Sequence, residues 1–250
     1  MLPHLTPIQW SLAALSAFCI GFAKSGFSGA GLLNVLVMAE LFGPRESTGV
    51  VLPMLICGDI LSVIAFHQHA RWPIVWRMLP PTIIGILAGY CIMLKLTDGR
   101  IFGPIIGWIV LIMVILQAVR RWYPRAFEKA PHTPQFAWSM GLTGGVTTML
   151  ANGAGPIMTL YFLATETPKF ALVGTSAWMF LILNSFKVPF SWSLGLIHGS
   201  SLLFNLVLVP AIAVGTFTGR WLIRYIKQDF FEALLLCFAA LAALRMIRVF

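Results

Sequence analysis

Apolar stretches follow one another almost end to end along this chain. They lie near residues 8–22, 28–41, 47–66, 78–94, 101–119, 136–151, 155–164, 170–186, 198–219 and 230–244. Several reach the roughly 17–25 residues that a helix needs to cross a bilayer. The ~10-residue segments of alternating polarity that build a membrane barrel are missing from the sequence. The pattern therefore predicts an all-α integral membrane protein. Its one clear polar linker runs from Arg120 to Gln135 and carries Arg120, Arg121, Arg125, Glu128, Lys129, Pro124, Pro131 and Pro134. It divides the chain into an N-terminal repeat over 1–122, a cytoplasmic linker over 123–135 and a C-terminal repeat over 136–250.

Two of the apolar stretches are interrupted by polar, glycine-rich breaks. The first runs from Gly21 through Lys24, Ser25, Gly26, Ser28, Gly29, Ala30 and Gly31 to Asn34; the second runs from Gly144 and Gly145 through Asn152, Gly153, Ala154 and Gly155 to Pro156. In a bilayer each unpaired backbone group costs several kcal/mol, so such breaks persist only inside protein or beside a cavity. Paired breaks in corresponding positions of two halves point to a transporter's binding site.

The halves align on these landmarks. Gly29 and Gly31 pair with Gly153 and Gly155, and Pro44-Arg45 with Pro168-Lys169, all 124 residues apart. Gly49 pairs with Gly174 and Asp59 with Asn184 at 125, while Pro80, Gly85 and Gly89 pair with Pro210, Gly215 and Gly219 at 130. A slowly drifting offset through many landmarks indicates duplication. Each half is expected to hold a broken, re-entrant first segment followed by three transmembrane helices.

Charge decides how the halves lie. A straight helix over residues 8–41 would be about 50 Å long at 1.5 Å per residue, against a hydrocarbon core of ~30 Å. The segment either tilts and crosses once or folds back at the break. Folding back puts Arg71, Arg77, Arg120, Arg121, Arg125, Lys129, Lys169, Arg220, Arg224 and Lys227 on one side, against Arg45, Lys95, Arg100, Arg245 and Arg248 on the other. A single crossing splits them nearly evenly, so the positive-inside rule favours the fold-back. The halves are then inverted repeats with both termini outside. Eight simple spans in a parallel repeat is the rival.

Composition agrees with a membrane protein. The chain is 59% hydrophobic and only 10% charged, where soluble domains carry roughly 25% charged residues. The net charge of +9 sits in short loops and does not imply nucleic acid. Cys19, Cys57, Cys91 and Cys237 lie in apolar runs without metal or disulfide spacing and read as small packing residues. Residues 1–9 lack Lys and Arg, so a signal peptide's basic start is missing and the first helix is expected to stay.

The Gly21 to Gly31 segment, the Pro44-Arg45 to Gly49 approach to the next helix, Asp59 within that helix, and the break from Asn152 to Pro156 resemble the TauE/SafE family of sulfite exporters. The likeness covers nearly all 250 residues. Family members carry denser glycine runs where Ala30 and Ala154 stand here. The resemblance implies a multi-pass permease of the bacterial inner membrane that moves sulfite, thiosulfate, organosulfonates or related carboxylates. No catalytic set is visible in the residues themselves, so no cofactor and no enzymatic step are expected.

A small oxyanion in a bilayer needs donors and positive potential, and a helix N-terminus offers both. The candidate cradle is Ser28, Gly29, Ala30, Gly31 and Asn34 from the first break with Asn152, Gly153, Ala154 and Gly155 from the second. The competing reading is that these small residues only allow close helix packing. Lys24 lies within the first break and either holds the anion or snorkels to the interface. Asp59, near the middle of its helix, either carries a coupling proton or pairs with Lys24 or Lys187. Asn184 is its uncharged mate, and Lys187 follows on the same helical face, before Pro189 and near an expected helix end, where it either snorkels or contacts substrate. Asp59, Asn184 and Lys187 are the coupling or gating candidates.

Asn205, Thr147 and Tyr161 are lesser candidates. His67, His69 and His198 fall near segment ends, and Trp72, Trp76, Trp122, Trp138 and Trp192 fit interfacial belts. No metal site, phosphate-binding loop or nucleophile elbow appears in the sequence. The sequence reading is a secondary anion transporter whose partners are a small anion, the bilayer and a coupling proton. A channel or a membrane subunit of a larger complex is the alternative, and a homodimer stays open.

Overall fold

The computed structural model describes residues 5–27, 29–97, 99–123, 133–165, 167–222, 237, 239–241 and 243–247. These residues are helical with short connections, and no strand occurs among them. The helices are α1 (Pro7–Lys24), α2 (Ala30–Phe42), α3 (Glu46–Phe66), α4 (Trp72–Lys95) and α5 (Gly99–Trp122), then α6 (Pro134–Ala151), α7 (Gly155–Ala164), α8 (Lys169–Ser193) and α9 (Gly199–Leu222). Residues 239–241 and 243–246 are helical as well. Among the described residues, five stretches are long and apolar enough to cross a membrane: Glu46–His69, Trp72–Lys95, Ile101–Val119, Phe170–Ser193 and Gly199–Leu222. The chain is a multi-pass membrane protein. Most of the 123–135 linker, both termini and most of the last apolar run lie outside the described residues.

The two broken segments fold back. Ser16 Oγ on α1 donates to Asn34 Oδ1 on α2 at 2.6 Å, and a Cβ on Gly31 would sit 3.6 Å from that of Ala23. Those pairs straddle the break evenly, as only a hairpin allows. The second hairpin closes likewise, with the Met158 methyl of α7 packed over Gly144 of α6. The sequence explains where each limb ends. Gly26 has φ +111°, which an L side chain rarely adopts, so α1 cannot continue through it. Asn152 ends α6 in the left-handed region, with φ 52° and ψ 25°. Its N–H donates to Thr148 O, the bond of a left-handed helix cap, and the Gly153 N–H reaches back to Thr147 O at 3.3 Å.

The long helices assemble around a central pair. α3 and α8 run antiparallel: Gly49 lies against Leu196, Asp59 meets Asn184, and Gly174 lies against Phe66 and Ala70. On the flanks, α1 packs along α9 and α6 along α4. Their glycines permit backbone contact. A Cβ on Gly85 would strike the Leu142 carbonyl, and one on Gly215 the Phe18 carbonyl. A Cβ on Gly145 would strike Thr82 O, and one on Gly21 would strike Ile212 O. Leu142 and Phe18 are 124 apart, as are Gly145 and Gly21, while Thr82 and Ile212 are 130 apart. The landmark offsets of the sequence thus recur in these contacts.

One apolar core joins α2, α4, α5, α6, α7 and α8, and another joins α1, α2, α3 and α9. Trp76, Trp122, Trp138, Trp192 and Trp221 face outward with many exposed Ile, Leu and Val side chains, as a lipid-facing surface requires. His67 and His69 lie exposed in a short 3₁₀ turn, and no group of three or more metal-ligating side chains occurs among the described residues.

Candidate functional site

The two breaks enclose a cavity of about 90 Å³. On the measure by which one water needs about 10–15 Å³, that holds several waters or one small ion. Its wall includes Lys24, Gly26, Gly31 and Asn34 from the first hairpin, and Thr148, Asn152, Gly153, Gly155, Pro156 and Thr159 from the second. α8 closes it with Ser176, Phe180 and Asn184. Among the described lining residues Lys24 is the one with an ionisable side chain.

Behind the cavity runs a chain of polar side chains. The Lys24 ammonium lies 2.6 Å from Asp59 Oδ1 and 4.4 Å above the Phe180 ring. Asp59 is fully buried, whereas the Lys24 side chain keeps 13% exposure. Asn184 Nδ2 donates to the other Asp59 oxygen at 2.6 Å, and its Oδ1 faces Lys187 Nζ at 3.4 Å. Lys187 is 1% exposed. Its ammonium donates to Asn152 Oδ1 at 2.6 Å and Thr148 O at 2.9 Å, with Thr148 Oγ1 at 3.3 Å. Asn152 Nδ2 in turn donates to Thr48 O at 3.0 Å. One network thus joins the end of α1, the middles of α3 and α8, and the turn between α6 and α7.

The sequence candidates fall into groups. Lys24, Gly31, Asn34, Asn152, Gly153, Gly155 and Asn184 line the cavity. Asp59 and Lys187 stand behind it, held by the contacts above. Gly29, Ala30 and Ala154 are buried beside it, and Ser28 lies outside the described residues. The second limbs begin at Ala30 and Gly155. Lys187 is not near a helix end: α8 continues through Pro189 to Ser193, and the ammonium is held internally rather than snorkelling. Lys24 likewise turns inward to Asp59.

Three residues escaped the sequence reading. Phe180 supplies a ring face to Lys24. Ser16 ties the first hairpin together. Ser62 Oγ donates to Lys24 O at 2.9 Å, much as Lys187 donates to Thr148 O. Lys24 and Thr148 are 124 apart, and Ser62 and Lys187 are 125 apart. Extending the repeat alignment three residues past Asp59 would have found Ser62.

The break glycines differ from the packing glycines. A Cβ on Gly29 or Gly155 would meet nothing within 4 Å, and one on Gly153 would make only ordinary contacts at 3.7 Å and beyond. Close packing therefore does not require glycine at these three positions.

An all-helical, multi-pass protein with a part-enclosed polar cavity at paired helix breaks belongs to the class of membrane transport proteins. The model of the sulfite exporter family TauE/SafE matches residues 13–246. The chain belongs to that family, whose members are transporters and not enzymes. No curated protein and no solved structure gives a significant match.

Proposed function

We propose that this protein is a secondary transporter that carries a small sulfur-containing anion through the bacterial inner membrane by alternating access around the two helix breaks. The observation that carries this reading is Lys24, an inward-turned ammonium on the wall of a cavity bounded by the first turns of α2 and α7. Helix N-termini offer unpaired N–H donors to an anion, and here they lie beside a formal cation. The open space over Gly155, on the cavity wall, fits backbone that meets a ligand rather than another helix.

Inverted halves are part of the proposal. Aligned segments α3 and α8 run antiparallel, and the aligned residues Asp59 and Asn184 touch each other. A pseudo-two-fold axis in the membrane plane passes between them in this reading. The cavity then lies near the bilayer midplane, with the 123–135 linker inside and both termini outside. Asp59 anchors Lys24, which releases toward the anion. A channel or a subunit of a larger complex is the second reading, and coupled movement separates it from a carrier.

Purified protein in liposomes tests this with sulfite, sulfate, thiosulfate and sulfonates, with and without a pH gradient. Saturable flux of at least one sulfur anion, accelerated by anion on the opposite side, is expected. Flux that never saturates would point to a channel, and no flux of any of these anions would overturn the proposal.

A further inference from the structure

We infer that the site is built to neutralise one negative charge, so that it prefers a tetrahedral sulfur monoanion to a dianion of the same shape. The inference rests on the transport reading above and narrows its substrate class.

The charges are countable. Lys24 and Lys187 contribute two cations and Asp59 one anion to a single network of ion-pair and hydrogen-bond contacts, leaving a formal sum of +1. The hydrogen bonds around Lys187 suit an ammonium. Asn184 spends its Nδ2 on Asp59 and Asn152 spends its Nδ2 on Thr48 O, so both present their carbonyl oxygens to Lys187. With Thr148 O, three oxygens that can only accept converge on one nitrogen. An ammonium carries three N–H donors, which matches three acceptors. The helix termini add nothing net, because two C-terminal ends, of α1 and α6, face two N-terminal ends, of α2 and α7. No other ionisable side chain lines the cavity among the described residues.

A monoanion beside Lys24 brings the network to zero. A dianion leaves one negative charge in a low-dielectric site, which is costly. Asp59 therefore sets charge selectivity without touching the cavity, as a positioning residue that holds Lys24 and offsets one of the two lysines.

Methanesulfonate and sulfate give a clean comparison, since both are tetrahedral and neither changes charge between about pH 5 and 9. Calorimetric affinities and liposome flux are measured for both anions at pH 7. Wild type should bind methanesulfonate at least about 10-fold more tightly, a difference of about 1.4 kcal/mol. Asp59→Asn raises the sum to +2 and should shift the ratio at least about 10-fold toward sulfate. Asn184→Asp lowers the sum to zero and should weaken both anions. The shift in ratio separates charge from any apolar contact of the methyl group.

Sulfate binding as tightly as methanesulfonate in wild type would overturn the inference while leaving transport intact. So would an unchanged ratio in folded Asp59→Asn. If that variant does not fold, undiminished affinity in Asn184→Asp would do the same. No binding and no flux of either anion, or of any other sulfur anion, would sink the transport proposal with it.

Discussion

Lys24 faces two ways. Its ammonium meets Asp59 at 2.6 Å and also forms part of the cavity wall. Lys24→Met should lower anion affinity by about 10-fold or more, since a charged hydrogen bond contributes about 1.5–3 kcal/mol. It also strands a buried carboxylate, and breaking such a pair costs about 3–5 kcal/mol. The double variant Lys24→Met/Asp59→Asn should therefore recover thermal stability without recovering affinity. Restored binding in the double variant would show that Lys24 serves only to hold Asp59. Lys24, Asp59 and Asn184 were legible in the sequence because polar groups at membrane depth are few. Their partners were not. Nothing in the spacing tells whether Asp59 meets Lys24 or Lys187, and the structure shows a direct pair with one and an amide bridge to the other.

At the scale of elements, two kinds of glycine do different work. Gly85 and Gly145 let α4 and α6 touch at the backbone, and a Cβ on either meets a main-chain carbonyl. Gly155 opens α7 and faces the cavity with nothing near its absent Cβ. Gly85→Ala should lower stability by about 1–3 kcal/mol, the usual cost of overpacking. Gly155→Val should fold normally and lose anion affinity, because its side chain fills the space that the ligand needs. Thermal melts and calorimetry on the two variants decide it. Equal destabilisation with unchanged binding would mean that both glycines serve packing. Sequence located both breaks, but hydropathy cannot distinguish a tilted span from a hairpin, since both bury the same residues. The Ser16–Asn34 contact makes that choice, and it depends on two residues in separate limbs.

For the whole molecule, the sequence offered an asymmetry of basic loops and a drifting offset between halves. The proposal of inverted halves draws on both and on the antiparallel run of α3 and α8. The cavity was not legible, because it arises where four helix ends and α8 converge from distant parts of the chain. Gln68 follows α3 and Ser193 ends α8, and both are exposed. Single cysteines there, in a background free of the four native ones, should label from opposite faces of the membrane, with Gln68→Cys reached from inside. Labelling of both from one face would contradict inverted halves. The central claim is that the anion sits between the two breaks. A structure with bound 2-bromoethanesulfonate, located by the anomalous signal of bromine, tests it most directly. The account predicts one peak in the cavity, with the sulfonate against Lys24 and flanked by Gly31 and Gly155. A peak only at the groove lined by Arg71, Arg77 and Tyr161, with the cavity left vacant by an anion that the protein demonstrably transports, would contradict it.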